Sequence, residues 1–172
     1  MQVDRNIDLY KMGIVYFLTT RGIPQIFYGS EILMTHLEGN DHGNIRKDFP
    51  GGWNGDKSNA FTGENMEKDA LETQEFFRTL LNWRKENPVI HTGKLLHFAP
   101  ENGTYVYGRY NDDTTVMIVL NKNNKKYNLK LDRYSELTGS FSTGKDVLTG
   151  NEYPLTDLLS LPPSSALILE LK

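Results

Sequence analysis

Residues 22–53 read GIPQIFYGSEILMTHLEGNDHGNIRKDFPGGW, and this stretch decides how the rest of the chain is interpreted. It opens with a short apolar run at residues 23–28, in which polar and apolar side chains do not alternate. Continuous apolarity over so few residues predicts a strand buried on both faces, as in a parallel sheet. A long segment rich in Gly, Asp and Asn follows. Ordered loops of that length are uncommon and usually functional, so the sequence predicts an active-site rim after the strand.

Two predicted helices flank this stretch. Apolar residues recur at helical spacing over residues 6–20, and Asp4 or Asn6 carries a side-chain oxygen that can cap the first free N–H groups. The second helix is predicted over residues 66–86, and its expected buried face comprises Phe76, Phe77, Leu80, Leu81 and Trp83. One helix–strand–helix unit is not a complete domain, because a parallel strand needs neighbouring strands. Residues 1–88 are therefore expected to be the end of a larger α/β domain.

The texture of the sequence changes after residue 88. Short runs rich in β-branched and aromatic residues alternate with turn sequences, and the runs are residues 94–98, 104–110, 114–121, 126–131, 140–147 and 167–171. This spacing predicts an antiparallel β-sandwich at residues 93–172, with the domain boundary near 88–93. The predicted fold class is thus mixed α/β followed by all-β.

In the run at residues 104–110, two sets of side chains alternate along the strand. This alternation predicts a sheet with one solvent-exposed (wet) face and one buried face. Tyr105, Tyr107 and Arg109 fall on one side, and Val106 and Gly108 fall on the other. The tyrosines, together with Tyr110, fit either a starch-binding platform or cross-strand packing. Cross-strand packing is the favoured interpretation.

Composition narrows the function classes. The formal net charge is −3 with no basic stripe, which argues against nucleic acid as a partner. There is no cysteine, so disulfides and thiolate metal sites are excluded. No apolar run reaches the length of about 18 residues that a membrane span needs. We expect no cofactor.

Three motifs resemble the α-amylase superfamily, glycoside hydrolase family 13. GIPQIFYGSEI at residues 22–32 is similar to the eighth barrel strand of that family, and LLNWRKENPVIHTGKL at residues 80–95 is similar to its last barrel helix and the entry to the C-terminal sandwich. GNIRKDFPGGW at residues 43–53 resembles the neopullulanase and cyclomaltodextrinase branch. The resemblance implies that residues 1–88 are the last α-β-α segment of a (β/α)₈ barrel.

The resemblance also implies what the chain does not carry. The family cleaves α-glucosidic bonds with retention, and its nucleophile, acid/base and second aspartate lie on barrel strands that would precede residue 1. No catalytic residue is therefore assigned here, and we expect the chain alone to be inactive. The parent would act on starch-derived oligosaccharides in the periplasm or outside the cell, with the cytoplasm not excluded. Apolar helix faces deprived of the barrel are expected to repack on the sandwich or to drive self-association.

Four loop residues are candidate substrate contacts in the intact enzyme, namely Tyr28, Arg46, Asp48 and Trp53. The aromatic rings can stack on sugars, while Arg46 and Asp48 can either pair with each other or bind sugar hydroxyls, pairing being slightly favoured. Glu31, at the carboxyl end of the predicted strand, fits either a residue that shapes or orients the site or one that caps the loop or braces it through Arg46, and the second role is favoured. We expect no catalytic pair among Glu31, Glu38, Asp41, Asp48 and Asp56, and no metal site at His36, Asp41 and His42. The alternative function is a standalone carbohydrate-binding or interaction module, which would need an exposed aromatic platform on the sandwich.

Overall fold

The computed structural model describes residues 6–35, 43 and 46–172 of the 172-residue chain. The described residues form two compact units. The first combines residues 6–24 with Leu80–Lys172, and the second is Gln25–Thr79. The domain boundary near residues 88–93 stays a prediction.

An antiparallel β-sandwich makes up most of the first unit, as the sequence predicts. A six-stranded sheet has the order β1-β2-β3-β8-β5-β6, and a second sheet pairs β4 with β7. The strands are β1 Lys94–His97, β2 Thr104–Tyr110, β3 Thr115–Asn121, β4 Tyr127–Lys130, β5 Thr143–Asp146, β6 Glu152–Pro154, β7 Leu158–Leu161 and β8 Ser165–Leu171. Six of these correspond to predicted strands, whereas β6 and β7 were not predicted.

The sandwich core is built from alternate positions of both sheets. Its buried residues are Val106, Met117, Val119, Leu129, Leu131, Tyr134, Leu137, Leu159, Leu161, Leu167, Leu169 and Leu171. Gly108 of β2 is where the core is tightest, because a Cβ there would lie 2.3 Å from Leu137 Cδ1. Only glycine allows the short helix that carries Leu137 to approach the sheet so closely.

The chain forms four α-helices in its described part: α1 Ile7–Thr19, α2 Lys68–Glu86, α3 Pro88–Thr92 and α4 Ser135–Thr138. The first two confirm the predicted helices. Asn6 caps α1, since its Oδ1 accepts the Leu9 N–H at 3.0 Å. On α2, Phe77 and Leu80 are buried as expected, but Leu81 is exposed.

The second face of the six-stranded sheet is covered rather than wet, so the predicted wet face is wrong. Tyr107 and Arg109, which lie on this face, are 0% and 1% exposed. Helix α1 packs on β3 and β8 on this side, and Val15 and Leu18 of the helix are fully buried. Part of the apolar face of α1 is thus buried against the sheet.

The predicted strand at residues 23–28 is not formed, and this part of the prediction is wrong. Residues 23–27 have irregular backbone, and Ile23 is 99% exposed. A parallel strand satisfies its backbone N–H and C=O groups through strands on either side. No strand lies beside residues 23–27 within the described chain, so the apolar run has nothing to pair with.

Candidate functional site

The unit Gln25–Thr79 carries the long polar loop, and the described part of that loop packs around a small apolar cluster. Buried Ile32, Ala60 and Ala70 form the cluster, with Met34, Phe49 and Met66 packed against them. Ile32 ends a 3₁₀ turn at Ser30–Ile32. The candidate residues therefore project from a loop that has its own packed anchors, which limits the conformations it can adopt.

Tyr28 ties the start of this loop to its middle. Its hydroxyl donates to the Lys47 carbonyl at 2.9 Å, and Lys47 Nζ donates to the Thr35 carbonyl at 3.0 Å. The ring lies 4.7 Å from the Phe27 ring and remains 43% exposed. Tyr28 thus braces the loop through its hydroxyl while part of its ring faces solvent. Because Lys47 separates Arg46 from Asp48, this bond brings three of the four candidates into one neighbourhood.

Trp53 lies on a turn that hydrogen bonds to the Asp56 carboxylate stabilise. Asp56 Oδ2 accepts the Gly51 N–H at 2.8 Å and the Trp53 N–H at 3.0 Å. Gly51 has φ +90°, and a Cβ there would lie 2.5 Å from Asn59 Cγ, so the turn requires glycine. The Trp53 side chain is 68% exposed. A fixed backbone with an exposed indole ring suits stacking on an apolar ligand face.

Arg46 and Asp48 do not pair with each other, contrary to the favoured expectation. Both are exposed, and their side chains make no hydrogen bond or ion pair with another described residue. Glu31 is half-buried and does not contact Arg46, so the proposed bracing through Arg46 is also wrong. The loop is held instead by Tyr28, Lys47 and Asp56. The guanidinium and carboxylate remain available to a ligand.

Several other loop candidates cannot be placed. Glu38, Asp41, His36 and His42 lie outside the described residues. Within the part that is described, no group of three or more His, Cys, Asp or Glu side chains is arranged to hold a metal ion. None of the helices in that same part is both long and apolar enough to cross a bilayer.

The tyrosines of β2 pack among themselves and against α1. The Tyr105 ring lies 5.1 Å from that of Tyr107 and 6.1 Å from that of Tyr16. Tyr107 OH and Thr19 Oγ1 share a 2.5 Å hydrogen bond. Burial raises the pKa of Tyr107 well above its ordinary value. Packing between elements, rather than an open platform, is what this cluster provides.

Two buried arginines, which the sequence analysis did not single out as anchors, hold the end of α1. Arg109 donates to the Thr19 carbonyl at 3.1 Å and to the Gly93 carbonyl at 2.9 Å, and Arg84 donates to the Leu18 carbonyl at 2.5 Å. Burial lowers the pKa of both guanidinium groups. Cations suit the negative end of a helix dipole, so these side chains satisfy the last carbonyls of α1.

Comparisons with known proteins agree with this architecture. Residues 95–170 match the family model described as the cyclo-malto-dextrinase C-terminal domain. The chain is 32% identical to a maltogenic alpha-amylase of Bacillus acidopullulyticus over 137 residues, covering 76% of this chain and 21% of that protein. It is 29% identical to a cyclomaltodextrin glucanotransferase of Klebsiella oxytoca over 118 residues, covering 69% of this chain and 16% of that one. Among solved structures, an alpha-amylase of Geobacillus thermoleovorans complexed with acarbose matches with a TM-score of 0.72 and 20% identity, covering 98% of this chain and 34% of that chain.

The fold is therefore that of the C-terminal β-sandwich of the amylase-type enzymes, preceded by helices and a long loop. The chain belongs to the α-amylase superfamily, glycoside hydrolase family 13, with a cyclomaltodextrinase-type C-terminal domain at residues 95–170. It spans about a fifth of the length of the curated relatives it matches.

Proposed function

We propose that this chain is the C-terminal portion of an α-glucan-hydrolysing enzyme of the neopullulanase, cyclomaltodextrinase or α-amylase type. Relatives named maltogenic alpha-amylase, cyclomaltodextrin glucanotransferase and amylopullulanase support starch-derived oligosaccharides as the substrate class. Periplasmic or secreted placement of the parent is part of the same proposal. The sandwich supplies a scaffold, and the loop supplies contacts at the rim of the substrate site.

The observation that carries the proposal is the state of the four rim candidates. Trp53 and Tyr28 present exposed rings on an anchored loop, while Arg46 and Asp48 carry side chains without partners among the described residues. Aromatic rings stack on the apolar face of a sugar ring, and charged groups form strong hydrogen bonds with hydroxyls. A loop that contacts a sugar needs a backbone held by internal hydrogen bonds. It also needs exposed aromatic rings and polar side chains that are free to bind hydroxyl groups.

The bond-breaking step is proposed to use groups that this chain does not supply. Retaining glycosidases need two carboxyl groups about 5–5.5 Å apart, one as nucleophile and one as acid and then base. The nucleophile displaces the leaving sugar, which takes the proton of the acid, and water then hydrolyses the glycosyl-enzyme with the proton returning to that acid. We assign none of these roles to a residue of this chain.

The direct test compares this chain with the product of the reading frame extended upstream. Both proteins are purified from a host without amylase and incubated with maltodextrin, cyclodextrin and pullulan, and released reducing ends are measured. We expect turnover only by the longer protein. Hydrolysis by the 172-residue chain would overturn the assignment of the catalytic carboxylates, and an inactive longer protein would overturn the enzyme proposal.

A second test addresses the rim. In the longer protein, Trp53→Ala should raise KM for maltodextrin about tenfold, since stacking on an aromatic ring is worth on the order of 1 kcal/mol or more. Trp53→Phe should return KM most of the way to the value of the natural sequence, because phenylalanine keeps an aromatic ring. Phe61→Ala is a matched control, because Phe61 is also exposed, at 74%, but contacts Phe49 of the loop cluster. Equal effects of Trp53→Ala and Phe61→Ala would remove Trp53 from the substrate site.

The alternative, a standalone carbohydrate-binding or interaction module, receives less support from the structure. It requires an exposed aromatic platform on the sandwich, yet Tyr107 is buried and Tyr105 packs between Tyr16 and Tyr107. The extended protein separates the two functions, because a standalone module would hydrolyse no glucan at any length.

Self-association is proposed as a property of the isolated chain. Tyr16, Phe17 and Ile23 of the first unit are 46%, 43% and 99% exposed, although α1 is partly buried on the sheet. Apolar surface of this kind favours contact with a second copy. Sedimentation velocity between micromolar and millimolar concentrations should show a concentration-dependent dimer, and a monomer throughout that range would contradict the proposal.

A further inference from the structure

A groove in the first unit is formed by segments of the β-sandwich. Its volume is about 590 Å³, within the range of small-ligand sites. It is lined only by residues 130–158, so it belongs wholly to the C-terminal domain that the family model covers. The β4–β7 sheet, the α4 segment and the stretch before β7 form its walls.

The walls of the groove are fixed by backbone hydrogen bonds. The Leu131 N–H donates to the Asp157 carbonyl at 3.0 Å, which joins the end of β4 to the stretch before β7. The Phe141 N–H donates to the Thr138 carbonyl at 2.9 Å, and the Leu155 N–H donates to the Ser142 carbonyl at 2.9 Å. The groove is thus preformed, so a ligand would not have to order these segments when it binds.

Polar groups and apolar surface alternate around this groove. Asp132, Ser135 and Asp157 are exposed and make no side-chain hydrogen bond or ion pair with a described residue. Arg133, the neighbour of Asp132, pairs with Glu101 outside the groove. Phe141 and Leu155 are half-buried against the sandwich core and provide the apolar part of the lining.

Charge limits the chemistry of the occupant. Two carboxylates and the single ammonium of Lys130 give the lining an excess of negative charge, which disfavours a phosphate or another anion. The Lys130 ammonium cancels one of the two carboxylate charges, which weakens the attraction of the lining for a cation. Carboxylates accept hydroxyl protons, ammonium and Ser hydroxyls donate to hydroxyl oxygens, and the aromatic and aliphatic side chains suit the C–H face of a pyranose. A neutral sugar meets all of these conditions.

We propose that the groove lined by Asp132, Ser135, Phe141 and Asp157 is an accessory binding site for a linear α-glucan oligosaccharide. The choice of an α-glucan over other neutral sugars rests on the proposed function. The site holds glucan without cleaving it, so that the substrate stays at the surface of the enzyme. This raises the local substrate concentration by intramolecular attachment.

The test maps maltotriose binding on the full 172-residue chain by amide chemical shifts. We expect saturable shifts concentrated at residues 130–135, 141 and 155–158, and weaker shifts from the β-linked trisaccharide cellotriose. No shifts at millimolar maltotriose would overturn the proposal, as would shifts confined to residues 28 and 46–53. Shifts at the groove with calcium chloride but not with maltotriose would reassign the groove to a cation and equally overturn it.

Matched variants sharpen the test. Asp132→Asn combined with Asp157→Asn should weaken maltotriose binding about tenfold or more, because hydrogen bonds to charged acceptors are lost. Asp112→Asn combined with Asp113→Asn makes the same charge change on an exposed turn away from the groove and should leave the dissociation constant unchanged. Equal affinities for both double variants would refute the role of the groove carboxylates. If the groove variant does not fold, the shift map of the natural sequence decides alone.

Failure of this proposal is separable from failure of the proposed enzyme function. Hydrolysis by the longer protein, with no maltotriose shifts at the groove, would leave the enzyme assignment intact and overturn only the accessory site. Maltotriose shifts at the groove, with no hydrolysis by the longer protein, would support a binding site and overturn the enzyme assignment.

Discussion

Replacement of Arg109 by methionine should destabilise the chain more than replacement of an exposed arginine by methionine. The guanidinium joins three elements, since it extends from β2 to the Thr19 carbonyl at the end of α1 and to the Gly93 carbonyl after α3. Methionine has a similar length and no hydrogen-bond donor. The substitution therefore removes two bonds while leaving the packing volume nearly filled.

The expected loss follows from the two carbonyls that would be left without a donor. A buried polar group without its partner costs about 1–3 kcal/mol, which gives about 2–6 kcal/mol for two. Removing a buried charge offsets part of this, because burial already lowers the pKa of Arg109 and disfavours its charged form. Arg109 Nε, which has no partner, is also removed. The net loss should be about 2–4 kcal/mol in the free energy of unfolding.

Urea denaturation at 25 °C, followed by far-ultraviolet circular dichroism, measures this loss. Arg109→Lys should fall between Arg109→Met and the natural sequence, because lysine keeps the charge but lacks the planar fork that reaches two carbonyls. Arg78→Met is the control, since Arg78 pairs with Glu75 on an exposed surface of α2 and such pairs contribute about 0–1 kcal/mol. A loss below about 1 kcal/mol for Arg109→Met, or one no larger than that of Arg78→Met, would refute the reasoning.

Three further predictions concern single positions. The free energy of unfolding should fall as the pH rises above about 10. Burial raises the pKa of Tyr107 in the folded chain, whereas the same phenol ionises near pH 10 in the unfolded chain. This difference contributes a slope of up to about 1.4 kcal/mol per pH unit. Tyr107→Phe should flatten that slope in urea titrations between pH 8 and 11, and an unchanged slope would exclude this residue as its source. Gly108→Ala should cost about 1–3 kcal/mol by the same denaturation assay, because the new Cβ would overlap Leu137, and a loss within error would show that α4 can shift freely. Gly51→Ala should disturb the turn that carries Trp53, both through its φ of +90° and through overlap with Asn59, and tryptophan fluorescence should report a changed Trp53 environment, whereas an identical spectrum would argue against strain there.

Local chemistry explains which elements the sequence predicted well. The Asn6 cap and the apolar stripe of α1 are local signals, and the pair β2 and β3 is separated by the turn residues Asn111, Asp112 and Asp113. β6 was not predicted because it is short and contains Pro154. Proline usually indicates the end of a strand in a sequence, although an edge strand such as β6 tolerates it.

The errors have a different origin, because each depended on contacts between distant parts of the chain. The apolar run at residues 23–28 has the composition of a buried strand, but a strand forms only where neighbours accept its hydrogen bonds. The alternation in β2 predicted a wet face that α1 in fact covers. No local sequence pattern around Arg109 predicts its hydrogen bonds to the Thr19 and Gly93 carbonyls.

Exposure of Trp53 and Tyr28 agrees with their selection, whereas the pairing expected for Arg46 and Asp48 did not form. The groove at residues 130–158 could not be predicted, since its lining comes from segments that meet only after the β4 and β7 strands pair. Substrate contact by the four rim residues stays a prediction.

The packing of α1 on β8 bears on how the chain is made. β8 at Ser165–Leu171 is synthesised about 150 residues after helix α1. At about 5–20 residues per second, the nascent helix would wait several seconds or more for its main partner, with Val15 and Leu18 accessible to chaperones. In a nascent chain stalled on the ribosome before β8 is synthesised, α1 should therefore be cleaved readily by a protease. In the finished and released chain, α1 should be protected from cleavage.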